Sequence, residues 1–153
     1  MISSYNSSRA AIAALTLYAI LYGFFMINWV DLVGVAKDPF HVYHLWLIGM
    51  YFAPWLVVLL LYGRKDWEIF LALGLLTSLM NDLFYYPAAY LMFFEPSQLA
   101  SFYRYQLGFL GNEPSWTFEG GFLQFKVTSY IMAASIYGRL AAATLLFAHW
   151  WEN

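Results

Sequence analysis

The chain has 153 residues, of which 63% are hydrophobic and only 10% are charged. Because a soluble domain normally carries about 25% charged residues, this composition indicates a membrane protein with several spans. The net charge of −2, without a Lys/Arg cluster, argues against a nucleic-acid partner, and the lack of cysteine excludes iron–sulfur clusters, thiolate-ligated metals and thiol–disulfide chemistry.

The first apolar stretch, Ala10–Val30, is long enough to cross a bilayer, for which about 20 residues are needed. It follows Arg9, as in a secretory signal peptide, but the apolar run is longer than a signal sequence and no small-residue cleavage pattern comes after it. We therefore expect a retained first span. Gly23 would allow close approach to another helix, and Asn28 places an amide near the far end of this span.

The second apolar stretch, Pro39–Tyr62, begins at a predicted helix start. Asp38 is a good N-cap residue, and proline is favoured at the first helical position. Within the stretch, Pro54 predicts a kink because proline removes an internal hydrogen bond.

A short connection between the second and third stretches predicts a tight helical hairpin. Gly63 is a suitable C-terminal cap, and Asp66 a suitable N-cap for the next helix. Arg64 and Lys65 lie between them, and short basic loops stay cytoplasmic. With Arg9 on the same side, this places both termini in the cytoplasm and the long third loop outside the cell, so that the plasma membrane is the expected location.

The third apolar stretch, Trp67–Phe94, carries polar side chains well inside the predicted hydrocarbon layer. Pro87 predicts a kink or a local opening in this helix. Small and polar residues recur at spacings near three and four, so one face of the helix can look into a bundle. These residues are Gly74, Ser78, Asn81, Asp82 and Tyr85.

The third loop, residues 95–126, is too polar to cross a membrane and too long for a simple connector. Apolar residues at helical spacing over Leu99–Leu110 predict an amphipathic helix on the outer membrane surface. The aromatic segment that follows, Trp116–Phe122, contains Glu119 beside a pair of glycines. We expect this segment to fold back over the outer mouth of the bundle.

The fourth apolar stretch, Val127–Trp151, contains Arg139 at a depth that matches Asp82. With a rise of about 1.5 Å per residue, Asp82 lies roughly 22 Å from Trp67 and Arg139 roughly 18 Å from Trp151. If the two helices are antiparallel, the charges lie at nearly the same level, and a buried charge needs a partner. The sequence therefore predicts an Asp82–Arg139 ion pair, which either clamps the helices together or belongs to a functional site.

A metal site is a weaker hypothesis. His41 and His44 are three residues apart on the second span, so both imidazoles can face one partner. With Asp31 or Glu119 they would suit zinc, copper or iron. The HxxH spacing lacks the further ligands of stronger motifs, and a bis-histidine haem is disfavoured because His149 lies at the opposite membrane face.

These observations predict an all-α integral membrane protein, a single domain with four antiparallel transmembrane helices and an amphipathic surface helix in the third loop. The small-residue faces suggest homo-oligomers or contacts with other membrane subunits, besides the lipid bilayer itself.

The sequence contains no nucleophile elbow, P-loop, dinucleotide fingerprint or HExxH motif. Our leading hypothesis is therefore a protein that binds a hydrophobic small molecule or lipid at an outward-facing pocket, or an accessory subunit of a membrane complex. The alternative is a membrane-embedded enzyme for a lipid-like substrate, using a metal at His41 and His44 or acid–base chemistry at Asp82. A proton- or ion-coupled carrier that uses Asp82 is a third hypothesis. The predicted pocket residues are Asn28, Asn81, Asp82, Tyr85, Trp116, Glu119 and Arg139.

Overall fold

The structure is a computed structural model that describes residues 2–34, 42–61, 63, 66–102 and 114–152. For residues 2–8, 114–116 and 119 it describes the backbone alone. The described chain is mostly helical, and four helical stretches are long and apolar enough to cross a membrane. They occupy the four predicted places, with bounds of Arg9–Gly34, Tyr43–Leu61, Trp67–Phe93 and Ser129–Glu152.

The first long stretch consists of three helical segments: α1 (Ile2–Leu21), a π-helical turn (Tyr22–Ile27) and α2 (Asn28–Gly34). The amide of Asn28 donates hydrogen bonds to the carbonyl oxygens of Gly23, at 3.2 Å, and Phe24, at 2.9 Å. A π-helical turn shifts the backbone pairing, and such turns often occur at functional sites. The apolar sequence of this stretch gave no sign of this change in pairing.

The second long stretch changes helix type at its proline. It runs from α3 (Tyr43–Phe52) through a 3-10 turn (Ala53–Trp55) into α4 (Leu56–Leu61). Pro54 lies in the 3-10 turn, so the sequence correctly located an irregularity there. The predicted start at Asp38 and Pro39, and the nearby His41, lie outside the described residues.

Helix α5 (Trp67–Phe93) is continuous through Pro87, so the local opening predicted at this proline is not present. It ends at Phe94, whose left-handed backbone conformation (φ 56°) stops the helix. The short helix α6 (Ser97–Ser101) follows. Most of the predicted surface helix, through Leu110, lies outside the described residues.

The connection before α5 differs from the prediction in one respect. Gly63 does end its helix, with a positive φ of 91° and its N–H bonded to the Leu59 carbonyl at 3.1 Å. Asp66 does not cap α5 through its side chain. Its carboxylate instead accepts a hydrogen bond of 2.9 Å from the indole N–H of Trp150, which links the start of α5 to the end of the fourth long helical stretch.

Helix α5 is the centre of the structure, because the other long helical stretches all pack against it. Helix α7 (Ser129–Glu152) runs antiparallel to it. The start of α5 meets the end of α7 through Glu68 and His149, whose carboxylate and imidazole are 2.7 Å apart. Further along α5, Leu79 packs against Met132 and Ile136 near the start of α7.

A two-stranded hairpin, β1 (Pro114–Gly120) and β2 (Leu123–Thr128), precedes α7. The strands are antiparallel and joined by a two-residue turn at Gly121-Phe122, with Gly121 at a positive φ of 71°. We did not predict these strands, although paired glycines between runs of aromatic and β-branched residues are a hairpin signature. We expected only that this aromatic segment folds back over the mouth of the bundle, and a two-residue alternation over so few positions is a weak signal.

Candidate binding site

A cavity of about 700 Å³ lies between α3, α5, α7 and the hairpin. Its walls are mainly aromatic and aliphatic, and polar side chains enter it from several elements. Hairpin residues Thr117, Phe118, Phe125 and Val127 form one wall. The aromatic segment therefore does lie against the helices, as the sequence suggested, but as strands rather than as a hinged loop.

Arg139 and Asp82 form the predicted ion pair, and both line the cavity. One terminal nitrogen of the guanidinium, Nη2, contacts the Asp82 carboxylate. The other, Nη1, donates to the Ser78 hydroxyl at 3.1 Å, and Nε donates to the Ser135 carbonyl at 3.1 Å. Because each guanidinium nitrogen has an acceptor, the position of the positive charge is fixed by α5 and by α7 itself.

Asn81, one residue before Asp82, is fully buried and joins three helical stretches. Its Oδ1 accepts a hydrogen bond of 2.5 Å from the Tyr51 hydroxyl on α3. Its Nδ2 donates to Asn28 Oδ1 at 2.9 Å and to Asp31 Oδ2 at 3.0 Å, both on α2. The amide thus has a partner for its oxygen and for both of its hydrogens, as a buried polar group requires.

Asp31 is a second carboxylate in the cavity wall. Its Oδ1 accepts a hydrogen bond of 2.5 Å from the Tyr43 hydroxyl, while Oδ2 accepts the bond from Asn81. We placed Asp31 among candidate metal ligands, whereas the structure connects it to the Asn81 network. It therefore belongs to the same polar centre as Asp82, which follows Asn81 in the chain and lines the same cavity.

Aromatic rings cover the outer part of the cavity. The imidazole of His44 stacks on Phe118, with ring centroids 5.0 Å apart, and Phe118 stacks on its cross-strand partner Phe125, also at 5.0 Å. Tyr85 and Tyr86, in edge contact at 5.2 Å, line the same space. His44 therefore helps to hold the hairpin against α3.

The predicted pocket residues fall into three groups. Asp82, Tyr85 and Arg139 line the cavity. Asn28 and Asn81 are fully buried behind its wall, and Asn81 bonds to two residues that line it, Asp31 and Tyr51. The side chains of Trp116 and Glu119 lie outside what the structure describes.

The metal hypothesis is not tested, because His41 lies outside the described residues. Within the described part of the chain, no group of three or more His, Asp or Glu side chains could hold a metal ion. Asp31 and His44 both line the cavity, where Asp31 accepts hydrogen bonds from Tyr43 and Asn81 and the His44 ring stacks on Phe118. Enzymatic activity through Asp82 likewise stays a prediction.

Sequence reasoning missed two tyrosines that complete the site. Tyr43 and Tyr51 are buried on one face of α3, with Leu47 between them at the four-residue spacing of a helix face. That spacing was visible in the sequence. The spacing alone does not say which polar groups the two hydroxyls meet, because their partners lie on α2 and α5.

No known protein family, characterised protein or solved structure matches this chain. The functional argument therefore depends on the cavity and its residues.

Proposed function

We propose that this chain is an integral membrane protein that binds a hydrophobic small molecule or lipid in the cavity between α3, α5, α7 and the hairpin. The observation that carries the proposal is the cavity's composition. A volume of about 700 Å³ with apolar and aromatic walls and a few convergent polar groups is typical of sites for small organic molecules. A cavity filled only by helix-packing contacts would not need two carboxylates and a guanidinium in its wall.

Membrane insertion is supported by the outward faces of the helices. Large apolar side chains point away from the protein along them, such as Leu60 (83% exposed) on α4 and Leu145 (70%) on α7. In water such a surface would favour aggregation, whereas in lipid it is the expected surface. Arg64 and Lys65 in the sequence favour a cytoplasmic position for their loop, which supports an orientation with the hairpin and the cavity on the outer side of the membrane.

The cavity's polar groups would orient a ligand rather than transform it. Asp82 is held by Arg139, and Asp31 by Tyr43 and Asn81, so the site offers fixed charges and hydrogen-bond acceptors beside aromatic rings. The hydrophobic part of the ligand would extend towards the acyl chains of the bilayer. Association with a second copy, or with other subunits of a membrane complex, stays a prediction.

The test is native mass spectrometry of the protein extracted from its own membrane into nanodiscs. A Ser135→Trp variant fills the cavity, because Ser135 lines it and its backbone carbonyl still accepts the Arg139 bond. The matched control is Ala141→Trp, at an exposed position of the same helix that does not line the cavity.

We expect the parent and the Ala141→Trp variant to retain a bound small molecule that the Ser135→Trp variant has lost. The proposal is wrong if the parent carries no such molecule. It is equally wrong if all three proteins carry it in the same proportion, because the molecule then binds elsewhere.

A further inference from the structure

Two carboxylates line the cavity, and their partners differ. Asp82 is paired with the guanidinium of Arg139. Asp31 accepts one hydrogen bond from Tyr43 and one from Asn81, both neutral donors, and no cation among the described residues contacts it. Since a carboxylate has about four lone-pair sites, Asp31 keeps acceptor capacity on the cavity side after these two bonds are made.

The charge of the cavity wall is therefore unbalanced. With His44 neutral, the described lining residues carry one guanidinium against two carboxylates, and a protonated His44 would interact with Asp82, which already has Arg139. Asp31 and Asp82 are close enough to interact electrostatically with each other. An anion entering this space would meet both of them, whereas a cation would relieve their mutual repulsion.

The aromatic walls favour the same kind of ligand. The faces of tyrosine and phenylalanine rings attract cations that lie within about 6 Å, and the attraction grows when water is excluded. Tyr43, Tyr51 and Tyr85 lie around the carboxylate end of the cavity, and Phe118 closes it from the hairpin. Aliphatic side chains, including Leu47 and Ile131, line the remaining wall and suit an apolar body.

We propose that the ligand is a hydrophobic organic cation, an amine with an apolar body, whose ammonium group pairs with Asp31 among the tyrosine rings. This inference rests on the proposed function, because it names the ligand class of the same cavity. Asp31 is the anchor rather than Asp82, because Asp82 already has a guanidinium that a ligand would have to displace. The Asp82–Arg139 pair forms a neutral polar wall beside the anchor.

The experiment compares three probes with the same apolar body: phenylhexylamine, phenylhexanol and phenylhexanoate. Their binding to the protein in nanodiscs is measured by isothermal titration calorimetry, with empty nanodiscs as the correction for partition into lipid. Because a hydrogen bond to a charged group contributes about 1.5 kcal/mol or more, we expect the amine to bind about tenfold more tightly than the alcohol. The carboxylate should bind more weakly than the alcohol.

The Asp31→Asn variant removes the charge but can keep both hydrogen bonds. Asn Oδ1 can accept from Asn81, and Asn Nδ2 can donate to the Tyr43 hydroxyl, which serves as an acceptor as well as a donor. In this variant the amine should bind only as tightly as the alcohol does. The affinity of the alcohol should be the same as for the parent protein. The same substitution at Asp66, whose carboxylate meets Trp150 away from the cavity, should leave the preference for the amine unchanged.

The outcomes separate this inference from the proposed function. If the amine and the alcohol bind the parent equally, and both lose binding in Ser135→Trp, the cavity binds small molecules but the cation assignment is wrong. A preference for the amine that survives Asp31→Asn also overturns the assignment. If none of the probes binds the parent better than it binds Ser135→Trp, the cation assignment is wrong, and native mass spectrometry of the same two proteins decides whether the proposed function stands.

Discussion

Arg139 on α7 pairs with Asp82 on α5, and its second terminal nitrogen bonds to Ser78 one helical turn before Asp82. This single guanidinium therefore ties α7 to two successive turns of the central helix. Replacing it leaves the Asp82 carboxylate without its counter-charge, and breaking a buried pair from one side typically costs about 3–5 kcal/mol.

We expect Arg139→Ala to lower the free energy of unfolding by an amount of this size, measured by reversible unfolding in mixed micelles. The matched control is Arg9→Ala, because Arg9 lies over the Trp151 ring at 3.8 Å and such a contact contributes about 1 kcal/mol or less at an exposed site. Combining Arg139→Ala with Asp82→Asn should recover part of the loss, because position 82 then carries no charge that needs a partner. Additive effects of the two substitutions would contradict the pairing.

Asn81 provides a second prediction, which concerns the hydroxyl of Tyr51. In the parent, Tyr51→Phe removes the donor to Asn81 Oδ1 and should destabilise the protein by about 1 kcal/mol. In an Asn81→Ala background the same hydroxyl has lost this acceptor, so Tyr51→Phe should be neutral or stabilising. Tyr85→Phe is the control and should change stability little in either background, because the described residues offer its hydroxyl no hydrogen bond. An equal loss from Tyr51→Phe in both backgrounds would show that Asn81 is not its partner.

How far the sequence predicted these contacts depends on what kind of contact they are. The Asp82–Arg139 pair could be predicted because two apolar runs fix the depth of each charge, and a charge at that depth needs a partner. The partners of Asn81 could not be predicted from the sequence, because an amide forms hydrogen bonds equally well with many groups. Its choice of Tyr51, Asn28 and Asp31 depends on how the helices are rotated about their axes, which hydrophobic runs do not determine.

The hairpin was missed for a different reason. Its Phe118–Phe125 pair lies across two strands, so the two residues become neighbours only once the Gly121 turn is made. The membrane-spanning stretches are recognised by the length of their apolar runs, about 20 residues or more, whereas each strand offers only a few alternations. The cavity depends on this hairpin as one wall, so its full shape could not be deduced from the apolar runs.

The orientation in the membrane can be tested with single cysteines, because the native chain has none. Phe122 at the hairpin tip is fully exposed, and Glu152 near the end of α7 is also exposed. In intact cells, a membrane-impermeant maleimide should label a Phe122→Cys variant and should leave a Glu152→Cys variant unlabelled until the membrane is opened. The reverse pattern would show the opposite orientation. Labelling of both variants in intact cells would show that α7, which lies between the two positions, does not cross the membrane.

The close packing of α3 on α5 gives the last prediction. A methyl group added at Gly74 would overlap the ring of Phe52, so Gly74→Ala should destabilise the protein by about 1–3 kcal/mol. Gly138 on α7 has open space around it, and there the same substitution should be neutral or stabilise by up to about 1 kcal/mol, since alanine favours a helix over glycine. Both free energies can be measured by unfolding in mixed micelles. The smaller side chain of a Phe52→Leu variant should reduce the cost of Gly74→Ala, because it removes the overlapping ring atoms. If Gly74→Ala costs as much in that background as in the parent, the overlap with Phe52 is not its cause.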